Sequence, residues 1–231
     1  MNTHVKSATS EVVYKQLKNE IIYLEIMPGS SISEIETAKK YNVSRTPVRD
    51  AFKALENEGL LEIQPHIGTF VSLIDLNKIT DVLYMRENLE QSILRDLSAS
   101  FTNSQYLKLR ILLEEQRESI FEEDDSLKLA REFIKSDNHF HQTLYEAANH
   151  ANIWTFLSGI SQQYERFRLF LNLNDKEVLL NLYNQHLQIL DTLVHNDMDG
   201  LKDIITKHIY DGINGSYEII HKNSHYFKPM K

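Results

Sequence analysis

Asp137, His141, His186 and His208 are the residues whose types and placement best suit chemistry, because each interrupts a helical stripe of otherwise apolar side chains. Phe133, Ile134, Leu144 and Ala148 define one such stripe, and Asp137 and His141 lie within it one turn apart. Leu179, Leu182, Ile189, Leu190 and Leu193 flank His186, while Leu201, Ile204, Ile205 and Gly212 flank His208. An ionisable group on a buried stripe is costly unless something pairs with it. One carboxylate and three imidazoles meet that requirement together as ligands of a divalent first-row metal, the Asp-x-x-x-His spacing supplying two ligands from one helix face. The chain has no cysteine, so nothing favours a closed thiolate cage, and open coordination positions are left for water or a carboxylate.

Arg86 breaks a fourth stripe, formed by Ile79, Val82, Leu83, Ile93 and Leu97. Its planar fork suits bidentate pairing with the carboxylate of a bound ligand. Arg168, at the edge of a further stripe, is a second candidate for that pocket. His139, His150, His195, His221 and His225 fall off the stripes or at helix ends and read as surface groups. A lone histidine on an apolar face is usually a satisfied core residue; three with an aspartate favour a metal. Two other readings of the same groups stay open. A metal with open positions could activate water in a hydrolase, and a metal-free dimerisation bundle could bury the groups as a polar network.

A helical bundle must bring these side chains together. From Ile74 onward there are six amphipathic segments, near 76–98, 103–122, 126–149, 152–171, 176–196 and 199–221. Weak breaks fall near Thr102, Asp124, Ala151, Asp175 and Asp199, each with a cap candidate close by. The expectation for residues 74–231 is an antiparallel bundle of about six helices.

Residues 1–73 are organised differently, with Pro28-Gly29, Pro47, Gly59, Pro65 and Gly68 as punctuation. Val13, Leu17, Ile21 and Leu24 predict a helix from about Ser10, as N-cap, to Leu24. A second runs from Ser33 to Tyr41, Ser33 and Glu36 having capping-box spacing. Asn42 occupies a turn, and Ser44 caps a third helix over Thr46–Glu58 that buries Val48, Ala51, Phe52 and Leu55 and stops at Gly59. Leu60–Gln64 and Thr69–Ser72 read as two strands around a tight turn. Helix, helix, turn, helix, hairpin is the order of a winged helix-turn-helix, so the fold class is mostly α with that unit at the front.

Within this unit Arg45 and Arg49, four apart, share the exposed face of the third helix. Such a pair near a helix start suits bidentate contact with guanine in a major groove. Ser44 and Thr46 sit where a helix N-terminus meets phosphates, and Lys53 extends the face. In the wing Gly68 permits close approach to a duplex, flanked by His66 and Thr69.

The runs Met27-Pro28-Gly29, Ile32-Ser33-Glu34, Val43-Ser44-Arg45-Thr46-Pro47-Val48-Arg49-Asp50-Ala51 and Leu55-Glu56-Asn57-Glu58-Gly59-Leu60 closely resemble the GntR family of bacterial regulators over about residues 10 to 72. The run Asp137-Asn138-His139-Phe140-His141-Gln142-Thr143-Leu144, with His186 and His208, resembles the helical ligand-binding domain of that family's FadR branch. Six rather than seven helices is similar to its VanR-type subgroup. The resemblance implies a transcriptional repressor rather than an enzyme, acting on a double-stranded DNA operator. It also implies metal ligation by the matching Asp and His positions, with zinc or nickel, and a small organic acid as effector. Ile35 stands where relatives often carry an arginine, which is expected to remove one DNA contact, and Thr37 replaces a usual leucine.

One read-head covers too few base pairs to select a site in a genome, so a homodimer on a pseudo-palindrome is expected. The formal charge of -8 argues mildly against phosphate contact, but a second domain can carry the acid. Absence of cysteine and of a signal-like N-terminus predicts a cytoplasmic protein. No stretch approaches the roughly 20 apolar residues of a membrane span, so no membrane partner is expected.

Overall fold

The computed structural model describes residues 2–123, 125–172, 176–211, 213–214 and 216–229. The expected breaks at Asp124 and Asp175 and the stripe position Gly212 lie outside the described residues. The chain forms two compact units, one of the residues up to Leu76 together with those from Lys222 onward, the other Asn77–His221.

The first unit contains α1 (Asn2–Ile22), β1 (Ser31–Ile32), α2 (Glu34–Lys40), α3 (Arg45–Asn57), β2 (Leu61–Gln64) and β3 (Gly68–Val71). Helix α1 starts eight residues before the expected Ser10, because nothing between Asn2 and Ser10 is a helix breaker and a serine caps only where the backbone departs from helix. Ser10 instead donates from Oγ to the Pro47 carbonyl at 3.3 Å, tying α1 to the start of α3. Val13, Leu17 and Ile21 of α1 pack on Val48, Ala51, Phe52 and Leu55 of α3, with Leu60, Leu61 and Val71 closing the core. Gly29 adopts a φ of 80° that a side chain would resist, letting its N–H reach the Val71 carbonyl at 2.8 Å. Ser33 caps α2 through the Ile35 N–H rather than through a reciprocal box with Glu36. Asn42 turns the chain at a φ of 53° between α2 and α3.

The sheet has three strands in the order β1-β3-β2, both pairings antiparallel. The hairpin is the expected one, with Leu61 opposite Val71 and Gln64 opposite Gly68. Strand β1 is additional. Two residues are too few to show alternation, and only the ladder with Phe70 and Thr69 makes them a strand.

The C-terminal tail, expected with the bundle, clusters with this first unit. After a 3-10 turn at Ser224–Tyr226, Phe227 bridges Ile74 in parallel, the Ile74 N–H donating to Tyr226 and the Lys228 N–H to Ile74, both at 2.9 Å. Ile74 and Phe227 are both buried there.

The second unit is helical: α4 (Leu76–Ser98), α5 (Asn103–Glu122), α6 (Ser126–Ala147), α7 (Ala151–Ile160), α8 (Gln162–Asn172), α9 (Lys176–His195), α10 (Met198–Asp211) and α11 (Tyr217–Lys222). Helix α5 packs on α6 and α9, α10 on α9, and α6 also holds α7 and α8. Thr102 and Gln105 form a reciprocal capping box that starts α5, and Asp125 caps α6 through the Lys128 N–H at 2.9 Å. Two of the six expected segments are divided. The fourth breaks at Ser161, whose hydroxyl bonds the Leu157 carbonyl one turn back. The sixth ends at Asp211, where glycines at 212 and 215 favour helix least. Among the described residues no helix is long and apolar enough to cross a membrane.

Candidate metal centre and DNA-reading face

Helix α6 presents Asp137 and His141 one turn apart, α9 presents His186 and α10 His208, and none of the four is more than 6% exposed. One ligand atom from each lies within 4.8 Å of all the others. His141 Nε2 and His208 Nε2 stand 3.1 Å apart, His186 Nε2 is 3.3 Å from Asp137 Oδ1, and His141 Nε2 is 3.9 Å from Asp137 Oδ2.

The other ring nitrogens explain why the Nε2 atoms face inward. His141 Nδ1 lies 3.0 Å from Glu90 Oε2, His186 Nδ1 3.0 Å from Gln116 Oε1, and His208 Nδ1 2.9 Å from Gln185 Oε1. The two amide oxygens can only accept, so His186 and His208 carry the hydrogen on Nδ1 and a lone pair on Nε2, while the Glu90 carboxylate faces His141 Nδ1 without a well-aligned hydrogen bond. The amides are themselves oriented: Gln116 donates to Ser136 Oγ and Gln185 to Asp211. Three Nε2 atoms and a carboxylate therefore converge in a dry interior, where His186 Nε2 and Asp137 Oδ1 lack a well-aligned hydrogen bond and Asp137 Oδ2 faces Arg168. Buried acceptors of this kind are costly without a cation. The donor set fits a divalent metal, and no ligand is a thiolate.

Burial alone would raise the Asp137 carboxyl, but Arg168, His186 and His141 outweigh it and hold Asp137 well below the usual carboxylate range. Burial pushes His186 down, and pushes His208 well down with help from the neighbouring imidazoles. Glu90 is likewise drawn to about 2, the Arg86 guanidinium and the neighbouring His141 ring outweighing its burial.

Arg86 and Arg168 both border the cluster. Arg86 Nε pairs with Glu90 Oε1 at 2.8 Å, its Nη1 donates to the Tyr164 hydroxyl at 3.4 Å, and its buried Nη2 makes no hydrogen bond. Arg168 Nη2 pairs with Asp137 Oδ2 at 2.5 Å, and Nη1 donates to Asn138 at 3.2 Å. The cavity between Arg86, Tyr164, Arg168, Asp137 and His208 holds only about 20 Å³. That is room for a water or an ion, not for an organic acid.

On the first unit, α3 turns Arg45 and Arg49 outward, 57% and 54% exposed, opposite the buried Val48, Phe52 and Leu55. Both reach Glu34 at the start of α2. Arg45 Nη2 is 3.1 Å from Oε2, and Arg49 grips the same carboxylate through Nε and Nη2, each at 3.3 Å. Arg49 and Arg45 together hold Glu34 below the usual carboxylate range, against its partial burial. Ser44 is the N-cap of α3 by backbone geometry but spends no side-chain bond on capping. Thr46, Lys53 and His66 are exposed, and Gly68 and Thr69 are half-buried in β3. Ile35 is exposed beside this face.

Residues 9–71 match the family described as bacterial regulatory proteins, gntR family, and residues 81–211 match the FCD domain. The HTH-type transcriptional repressor RspR of Escherichia coli K12 is 30% identical over 220 residues, covering 94% of this chain and 93% of that one. The chain belongs to the GntR family. The gluconate operon transcriptional repressor of Bacillus subtilis is 28% identical across 80% of this chain and 73% of its own length. Among solved structures, E. coli McbR/YncC superposes with a TM-score of 0.72 at 17% identity, covering 91% of this chain and 98% of that one. A GntR regulator from Rhodococcus sp. RHA1 superposes at 0.69 and 21% identity, covering 92% and 98%. These two show the fold. The protein is a transcriptional regulator, not an enzyme, with a GntR DNA-binding domain and an FCD effector-binding domain.

Periodicity misses several residues of the FCD site. Glu90 lies one turn after Arg86 on the same stripe, and Gln116 sits on the Leu109, Leu113, Ile120 stripe of α5. Both could have been found as polar interruptions of a stripe. Gln185 and Tyr164 carry no such signal.

The pH dependence of this GntR site follows from the depressed histidines. Only neutral imidazole ligates, and burial holds His186 and His208 below the ordinary value near 6.5. A bound divalent ion is expected to survive to pH 6 and to leave as the pH falls further. The metal-free protein should also lose stability below about 6.5, where the unfolded chain takes up protons that the folded site refuses; above that pH these groups contribute no further change. Equilibrium dialysis and denaturant melts between pH 8 and 4 measure both. A release midpoint at or above 6.5 counts against the buried-neutral assignment.

Proposed function

We propose that this GntR protein is a repressor, homodimeric on a pseudo-palindromic operator, whose DNA binding is tuned by a small organic acid at a divalent metal in the FCD domain. The observation that carries the sensing half is the convergence of Asp137, His141, His186 and His208, with every imidazole backed by an oxygen acceptor. Zinc and nickel are the ions this nitrogen-rich set suits. When bound, the metal supplies a Lewis-acidic anchor for a carboxylate. Arg86, with a buried Nη2 lacking an acceptor, is the residue of this chain placed to hold the acid's second oxygen. Arg168 serves as the counter-charge of Asp137 rather than as a free clamp. A cavity of about 20 Å³ cannot accept the acid as it stands, so acid binding requires the lining to move. That movement is the differential interaction by which a ligand can shift a conformational equilibrium. The reading also draws on the relatives, two of which are named as repressors, one of a gluconate operon.

The DNA half rests on Ser44, Arg45, Thr46, Arg49 and Lys53 on α3 with His66, Gly68 and Thr69 in the wing. Arg45→Ala is expected to reduce affinity for the selected operator by about 1–3 kcal/mol and to affect a random duplex less. Equal losses on both duplexes would demote Arg45 to a phosphate contact.

The test of the whole uses a duplex that the wild type enriches from a randomised library. Metal content of purified protein is measured, then operator binding with and without chelator across a panel of small carboxylates. At least one acid should change operator affinity tenfold or more in the metal-loaded protein alone. Absence of bound divalent metal ends the sensing half of the reading. Sedimentation at working concentration reads the dimer, and a monomer with full operator specificity ends that part.

A further inference from the structure

Glu34 is an acidic side chain that hydrogen-bonds both arginines of the reading face. Its two oxygens are used unequally. Arg49 takes both, Nε on Oε1 and Nη2 on Oε2, while Arg45 adds a single Nη2 contact to Oε2. The bidentate grip occupies the Nε–Nη2 edge of Arg49, one of the two edges a guanidinium can offer as a fork. Arg45 keeps its Nε and Nη1 outside the contact.

We infer that Glu34 is a specificity-determining positioning residue, bracketing Arg49 and Arg45 against α2 so that each guanidinium offers the base edge only the side that Glu34 leaves free. This rests on the DNA-reading face described above. A carboxylate here has two opposed effects. It removes net positive charge from a surface that meets phosphates, which lowers affinity for any duplex. It also limits the freedom of two long side chains that would otherwise spread among phosphates, which preserves discrimination. Exposed ion pairs add little to folding stability, so the contribution should be read in DNA selection rather than in melting temperature.

The experiment compares wild type, Glu34→Gln and Glu34→Asp, full-length, on the library-selected duplex and on a random duplex across a salt series. Glu34→Gln is expected to bind the random duplex several-fold more tightly, with a log affinity versus log salt slope steeper by about one unit. Its ratio of selected to random affinity should fall tenfold or more, and its own library selection should lose preference at one base position per half-site. Glu34→Asp, which keeps the carboxylate, should retain the wild-type slope and recover part of the ratio. Melting within a few degrees of wild type shows that the variants fold. A ratio within twofold of wild type in Glu34→Gln overturns the proposal, as does a parallel loss on both duplexes. Should the wild type itself enrich no sequence, the DNA-reading assignment fails instead, and the two failures are distinguishable.

Discussion

A chain carrying both His186→Ala and His208→Ala is expected to bind no divalent metal, where the wild type binds about one ion per chain. The two imidazoles come from α9 and α10, while Asp137 and His141 share α6, so the double change strips every ligand that is not on α6. What remains is one carboxylate already paired with Arg168 and one imidazole facing empty space. Losing a single supporting partner costs roughly 10–100-fold in metal affinity, the effect expected of Gln116→Leu behind His186. Removing two direct ligands should exceed that by a wide margin and place binding below detection by calorimetry after chelation and metal add-back. Replacing His139 and His195, both exposed, serves as the control and should leave stoichiometry and affinity unchanged. Metal retained by the double variant would refute the proposed ligand set.

Glu90→Ala is expected to destabilise the metal-free protein by about 3–5 kcal/mol, because it leaves the Arg86 guanidinium charged, buried and without its carboxylate. The two side chains are 4% and 2% exposed, so water cannot take over the lost contact. Replacing both members, Arg86→Met with Glu90→Leu, should cost clearly less than Glu90→Ala alone, as expected when the damage is an unpaired charge rather than a lost attraction. Glu90 also backs His141 at 3.0 Å, so both variants should bind metal more weakly. Urea melts with and without metal separate the two effects. A Glu90→Ala melt within 1 kcal/mol of wild type would mean that Arg86 finds another partner.

The clustering of Asp137, His141, His186 and His208 was readable from sequence because each violates a strong rule: an ionisable group on a stripe of leucines must have a reason to be there. The same rule marks Gln116 more weakly and does not extend to Gln185, since neutral amides carry a smaller burial penalty and their role depends on which histidine the fold sets opposite them. Arg168 illustrates a different limit. Its type and position suggest an anion partner, and only the packing of α8 on α6 shows that the anion is Asp137. Helix periodicity located α4, α5, α6 and α9 well, yet it ran through the division at Ser161 because amphipathic spacing continues on both sides of the break. Strand β1 and the pairing of Phe227 with Ile74 are backbone events between distant residues, and side-chain patterns carry no trace of them.

That last pairing bears on how the protein is made. The unit that carries Arg45 and Arg49 also holds Ile74, whose N–H donates to the Tyr226 carbonyl and whose carbonyl accepts from the Lys228 N–H. At ordinary rates of synthesis the ribosome delivers Ile74 on the order of ten seconds before Phe227. Throughout that interval a nascent chain has its recognition helix but not the strap that completes the unit. Premature termination anywhere in the FCD domain leaves the same deficit, so the DNA-binding unit is completed only after the whole FCD domain has been made.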